Sequence, residues 1–261
     1  MKNLQAKKPK RSVEFGDIYQ LNEHLLMCGD SNNESMINRL LKGKTIKMIL
    51  TDVPYGVGYV ESKKNFVDIH VKKNIKNDQL QSEKEYRTFT EKWLNNIAPF
   101  LDTYNSFYIF NSDKMIFSLK EAIQNTGYRF TQLLIWAKTG AVMGRLDYLP
   151  QHELIAYGWY GKHKFYKSQD KTVLIYPKPQ KSKYHSTMKP IGLLRRLILN
   201  STEIEDYVFD GFGGSGSTLL ACDQTKRKCL MVELEPEYCQ IIIDRFENLT
   251  KQKAVLINAT I

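Results

Sequence analysis

The sequence predicts an α/β protein with a largely parallel sheet whose two halves run in circularly permuted order. Three observations carry that prediction. Short apolar runs of strand length alternate with segments of helical spacing along most of the chain. A strand, a glycine-rich turn and a helix, "YVFDGFGGSGST" at 207–218, come so late that only about 45 residues follow Gly216. The rest of the sheet must therefore come from earlier in the chain, with the half that holds this turn placed last. The alternation breaks once, from about Thr139 to His185, which marks a small insertion.

Taken in order, "KTIKMILTD" reads as a buried strand ending on an acid, and "SEKEYRTFTEKWLNNIAPFL" as a helix. "YNSFYIFNS" is a second strand. "SDKMIFSLKEAIQNTG" is an amphipathic helix with a serine cap and a glycine stop, and "YRFTQLLIWAK" is a further strand. In the insertion, "HELIAYGWYG" and "TVLIYPKPQ" read as a strand pair joined by a basic loop. "KPIGLLRRLILNST" is helical from Pro190, "DYVFD" is a strand, "SGSTLLACDQTK" a helix and "KCLMVELE" a strand. "PEYCQIIIDRFENL" is the last helix, with Pro236 in its first turn, and "AVLIN" reads as one more short strand. The expected organisation is a basic flexible tail at 1–12, one half of the sheet at 13–138, the insertion at 139–185, and the other half at 186–261.

Composition narrows the class. Hydrophobic residues make up 42% of the 261, enough for a sizeable core. No apolar run reaches the ~18 residues of a membrane span, and the basic start "MKNLQAKKPKR" lacks the apolar centre of a secretory signal. Cys28, Cys222, Cys229 and Cys239 form no CxxC pair, so neither a zinc site nor a disulfide framework is expected; the reading is a reduced, intracellular, cytoplasmic protein. The net charge of +10 is concentrated. Between Gly161 and Arg196 ten Lys or Arg stand against one acid, Asp170, with Tyr160, Phe165, Tyr166, Tyr176 and Tyr184 in or beside them. That tract is either a solvated basic face or a surface for a polyanion.

Two stretches carry the chemistry. In 207–218 Gly211, Gly213, Gly214 and Gly216 let the backbone turn sharply and approach a ligand, and Glu233 ends the next strand 20 residues after Gly213, where an acid can accept from two ribose hydroxyls. The other is "TDVPYG", where a strand ends on Asp52, Val53, Pro54 and Tyr55. With these in place the chain resembles the amino-group DNA methyltransferases that use S-adenosylmethionine. In particular it is similar to the β-type order, with an Asp-Pro-Pro-Tyr motif first and a Phe-x-Gly-x-Gly motif last. "FDGFGGSGST" fits the second motif from Phe209 or from Phe212; Asp210 directly ahead favours the Phe212 frame. "MCGDS", "HSTMKP" and "VELEPEYC" resemble three further family segments in the right order, so the resemblance spans about Val13 to Leu249.

The resemblance implies a Rossmann-like methyltransferase sheet and a bacterial or phage-like enzyme acting on double-stranded DNA, with a homodimer as a further expectation. It implies that Asp30 holds the cofactor's adenine amine, that Asp210, Gly211, Phe212, Gly213, Gly214, Ser215 and Gly216 form the cradle, that Glu233 takes the ribose, and that Lys189 lies near the methionine end. Asp52 and the Val53 carbonyl would take the two hydrogens of the target amine, Pro54 would shape the turn, and Tyr55 would stack on a base flipped out of the duplex. No metal is required. Asp at 52 resembles the adenine-N6 group, with cytosine-N4 as the alternative. Val53 departs from the usual proline: it keeps the carbonyl and precedes a proline, which favours extended geometry, while a weakened or silent enzyme is the rival reading. Trp136 and Lys138 end a strand on the same edge and read either as core or as base and backbone contacts. His152 and Glu153 lack a third metal ligand. The polar stretch "ESKKNFVDIHVKK", with Asn77 and Asp78 after it, is a candidate flap over the site.

Overall fold

The computed structural model describes residues 12–55, 82–141, 147–167, 169–179 and 188–257. The basic tail, the candidate flap with Asn77 and Asp78, and parts of the insertion lie outside the described residues. Ten strands form one sheet: β1 (Ile18–Leu21), β2 (His24–Cys28), β3 (Ile46–Asp52), β4 (Leu101–Asn111), β5 (Tyr128–Ala137), β6 (His152–Tyr160), β7 (Val173–Ile175), β8 (Tyr207–Asp210), β9 (Lys228–Glu233) and β10 (Val255–Leu256). Their order is β10-β1-β2-β9-β8-β3-β4-β6-β5-β7. From β2 to β4 the neighbours are all parallel. β8, nearly last in sequence, sits in the middle of the sheet beside β3, which is the permuted order expected from the position of the glycine turn.

The two halves cover opposite faces. Helices α1 (Glu34–Leu41), α2 (Glu83–Ile97) and α3 (Ile116–Asn125) pack Ile37, Leu40, Tyr86, Trp93, Leu94, Leu119 and Ile123 on one face. Helices α4 (Ile191–Ser201), α5 (Ser217–Thr225) and α6 (Pro236–Thr250) pack Leu194, Leu197, Leu219, Ile242 and Phe246 on the other. Burying each such side chain contributes about 1.5–3 kcal/mol, so each face holds its helices tightly enough to fix the ends of the strands. α2 starts with a full capping box, Ser82 and Glu85 satisfying each other's backbone N–H. α3 departs from expectation: its N-cap is Met115 and no side chain caps it, because Asp113, Lys114 and Met115 form a turn after Ser112 before the helix begins. Gly127 ends it as expected, with φ +81.

The insertion differs more. β6 lies inside the sheet, antiparallel to both β4 and β5, and β7 runs parallel to β5 on its far side. The two strands therefore do not pair with each other. The reason is burial: Leu154 to Trp159 are all buried, and a run without alternation needs cover on both faces, which only an interior strand has. The segment is divided as a result. Lys138 and Gln151, joined by a backbone hydrogen bond, stand at the edge where β3 ends, whereas Lys162 sits at the opposite edge, bridged to Tyr104 near the start of β4. The hairpin β1–β2 and helix α1 are further elements not expected from the sequence; β2 is buried throughout and only five residues long, so it shows no alternation.

Candidate functional site

Strands β2, β9, β8, β3 and β4 all end at one rim, and the expected residues gather there. Ile49 pairs with Phe209, so Asp52 and the glycine turn leave neighbouring strand ends. Thr51 Oγ1 donates to Asp210 Oδ1 at 2.7 Å and ties the two motifs together. Segments some 159 residues apart thus meet through one buried hydrogen bond.

On the turn side, Asp210 also accepts from Phe212 N at 3.1 Å. Gly214 N donates to Glu233 Oε2 at 2.7 Å and Glu235 N to Oε1 at 2.9 Å, which spans the carboxylate across the turn. Burial pushes Asp210 up to about 6 and Glu233 up to about 7. The end of β2 closes against the same loop: Gly29 N donates to Glu233 O at 2.9 Å and Ser31 Oγ to Gly211 O at 2.7 Å, which brings Asp30 beside the cradle. Phe212 packs on Phe89 and Trp93 of α2, both ring centroids at 5.7 Å. The Ser215 carbonyl accepts from Arg245 Nη1 of α6 at 2.8 Å.

The glycines are needed for two reasons. Gly214 and Gly216 have positive φ, +53 and +77. Gly213 has no room: an added Cβ would stand 2.8 Å from Met231 Cγ and Sδ. Gly213→Ala is expected to destabilise the fold by about 1–3 kcal/mol through overpacking, read as a lower midpoint in chemical denaturation. An unchanged midpoint would show that Met231 moves aside freely.

On the β3 side, Asp52 stands in a network of charges. Its Oδ1 accepts from Tyr55 OH at 2.8 Å and its Oδ2 from the Lys189 ammonium. Lys189 Nζ is also 3.0 Å from Glu153 Oε2, and Lys138 Nζ is 2.9 Å from Glu153 Oε1. Tyr55 OH lies 3.3 Å from Glu153 Oε2 as well. Burial pushes Asp52 up against the pull of Lys189. Burial would raise Glu153 too, but Lys189 and Lys138 outweigh it and hold Glu153 low. Burial would lower Lys189, but its two carboxylates keep it raised and charged. Lys189, placed at the cofactor by the resemblance, therefore has its ammonium on Asp52 and Glu153. Val53 is buried against the α2 and α3 side of the core, 2% exposed.

Sequence reasoning missed Glu153 as a site residue. The available signal was an acid in the second position of a strand that is otherwise apolar from Leu154 on, where the side chain lies near the rim. Trp136 is core, its Nε1 donating to Tyr176 O at 2.9 Å. Lys138 is buried against Glu153 and so is not a free backbone contact. His152 is exposed, and no three metal-ligating side chains converge among the described residues. The charge of the basic tract is dispersed: Lys162, Lys164 and Lys167 belong to the edge opposite Asp52, and Asp170 holds Arg196 in an ion pair. No described helix is long and apolar enough to cross a membrane.

Known proteins resemble this chain in sequence and in fold. A family model described as DNA methylase, of the N6/N4 methyltransferase type, matches residues 46–244. The type II methyltransferase M.HpaI of Haemophilus parainfluenzae is 25% identical over 235 residues, covering 80% of this chain and 70% of that protein. M2.DpnII of Streptococcus pneumoniae is 26% identical over 228 residues, covering 79% and 84%. Among solved structures, the M1.HpyAVI complex with S-adenosylmethionine superposes with a TM-score of 0.62 at 23% identity, covering 84% of this chain and 98% of that one. The cytosine-N4-specific PvuII DNA methyltransferase gives 0.63 at 17% identity, covering 87% and 89%; both share the fold. A family match that starts at the first residue of β3 and runs through the glycine turn into α6 takes in both motifs and the sheet that joins them, and the chain accordingly belongs to the N6/N4 DNA methyltransferase family.

Proposed function

We propose that the protein methylates the exocyclic amine of a base flipped out of double-stranded DNA, with adenine N6 as the preferred target and S-adenosylmethionine as the donor. The observation that supports this most directly is the Thr51–Asp210 hydrogen bond, which holds the Asp52 strand end against the glycine turn. The cradle fits the donor. Glu233 offers a carboxylate at the turn for two ribose hydroxyls, Asp30 offers one for an adenine amine, and the buried Asn32 Oδ1 has no partner among the described residues.

When bound, S-adenosylmethionine supplies an electrophilic methyl on a sulfonium. The chain supplies alignment and charge. An exocyclic amine is a poor nucleophile because its lone pair is delocalised into the ring. Asp52 and the main-chain carbonyl of Val53 accept hydrogen bonds from its two N–H groups, favour a pyramidal nitrogen and free the lone pair. The Asp52 carboxylate steadies the positive charge that develops there. After transfer one proton leaves the methylated amine for solvent. Tyr55, fixed by its bond to Asp52, offers a ring for stacking worth ~1–3 kcal/mol, against a flipping cost of a few kcal/mol. Base reading falls mostly to the insertion at 139–185, in which Tyr148 is 91% exposed.

Incubation with methyl-tritiated S-adenosylmethionine and unmethylated bacterial DNA, followed by nucleoside digestion, is expected to give labelled N6-methyldeoxyadenosine. Label in N4-methyldeoxycytidine would move the target to cytosine, and label only in RNA offered in a parallel reaction would remove DNA as substrate. Val53→Pro is expected to change the rate only slightly, because core packing already holds Val53 and Pro54 already favours extended geometry. Transfer seen only with the substituted protein would show that Val53 silences the site.

A further inference from the structure

Both oxygens of Asp52 are taken within the chain, one by Tyr55 OH and one by the Lys189 ammonium. An amine that comes to donate to Asp52 competes with these two donors for its lone pairs and for the space beside them. Lys189 has a second acceptor at hand, since Glu153 Oε2 lies 3.0 Å from the same Nζ. Its ammonium lies 5.2 Å from the Phe110 ring centroid and 5.8 Å from that of Tyr55, between aromatic faces that accommodate the charge in either seat. Glu153 in turn is fixed by β6, opposite Trp136 of β5, and by Lys138 on its other oxygen.

We propose that Lys189 is a latch that stands in for the target amine in the ligand-free protein, and that Glu153 is the positioning residue that receives it when the amine takes its place on Asp52. The inference rests on the methyltransferase reading above. An ammonium and an exocyclic amine are both N–H donors, so the exchange leaves Asp52 hydrogen-bonded throughout. Two carboxylates and two ammoniums keep the cluster neutral before and after it, and Asp52 trades its ion pair for hydrogen bonds from the amine and Tyr55. Without Glu153, Lys189 has one anion left, stays on Asp52 and keeps the amine out.

Glu153→Gln preserves shape and removes the second seat. Single-turnover methylation at saturating donor and DNA is expected to fall about tenfold or more, with the donor's dissociation constant unchanged. Adding Lys189→Met to that variant frees Asp52 and is expected to recover about fivefold over E153Q alone, a non-additive pair. E153Q at the parental rate, a double variant no faster than E153Q, or a Lys189→Met single variant impaired only in donor affinity would each overturn the proposal. A parent protein that labels no nucleic acid refutes the methyltransferase reading and the latch with it. A parent that labels DNA as fast as E153Q refutes the latch alone.

Discussion

Asp52→Asn is expected to cut methyl transfer by on the order of 10²–10³-fold or more, the usual loss when a charge-stabilising partner at a reacting centre is removed, while donor binding is retained. The substitution keeps the shape of the side chain but replaces one acceptor oxygen with an amide donor. Tyr55 OH and the Lys189 ammonium both donate to Asp52, so the amide nitrogen faces another donor whichever way it turns. On the proposed reading the target amine then keeps the Val53 carbonyl but loses the carboxylate that steadies the charge on it. The cradle is untouched, because Gly214 and Glu233 hold each other independently of Asp52. Lys189 keeps Glu153 as an anion, so the fold should survive. The check is a transfer assay beside a donor titration: parental rates in D52N would take Asp52 out of the chemistry, and loss of donor binding would assign it to the cradle.

The second large effect is a pH dependence of donor affinity. Glu233 is raised to about 7 by burial, above its ordinary value of 4.5, and Asp210 to about 6, above 3.8. In both cases the folded chain holds protons that the unfolded chain has released. Their contribution to stability is therefore fully present below the unfolded values and is lost as the pH rises through about 6 and about 7. If ribose hydroxyls donate to the ionised form of Glu233, as proposed, binding of S-adenosylmethionine opposes the raised pKa and releases a proton. The dissociation constant is expected to weaken by roughly tenfold for each pH unit below about 7 and to level off above it. Calorimetry in buffers of different ionisation enthalpy reads the released proton directly. Glu233→Gln should flatten the profile between pH 5.5 and 7; an identical slope in that variant would assign the titration to another group.

Much of this was legible because local rules sufficed. The capping box at Ser82 and Glu85 starts α2 where helical spacing begins. Pro236 sits in the first turn of α6. The glycine turn and the strand ending on Asp52 carry their own markers, turn residues after an apolar run. Ser112 was misleading because three turn residues separate it from the helix it was expected to cap. β6 and β7 were read as a pair because they are near in sequence, whereas burial on both faces sends β6 between β4 and β5. The same displacement scatters the basic tract, which looked continuous along the chain and is split between opposite edges of the sheet.

The sequence by itself determined the permuted order, the two motif-bearing strands and the residue types at their ends, since periodicity, glycines and prolines act over a few residues. Only the tertiary structure decided that Lys189 and Glu153 join Asp52, and that Lys138 holds Glu153 in place. An ion pair depends on distance in space, and its partners here lie up to 137 residues apart in the chain. They meet because β3 and β6 reach the same rim on either side of β4, with the segment leading into α4 laid across it.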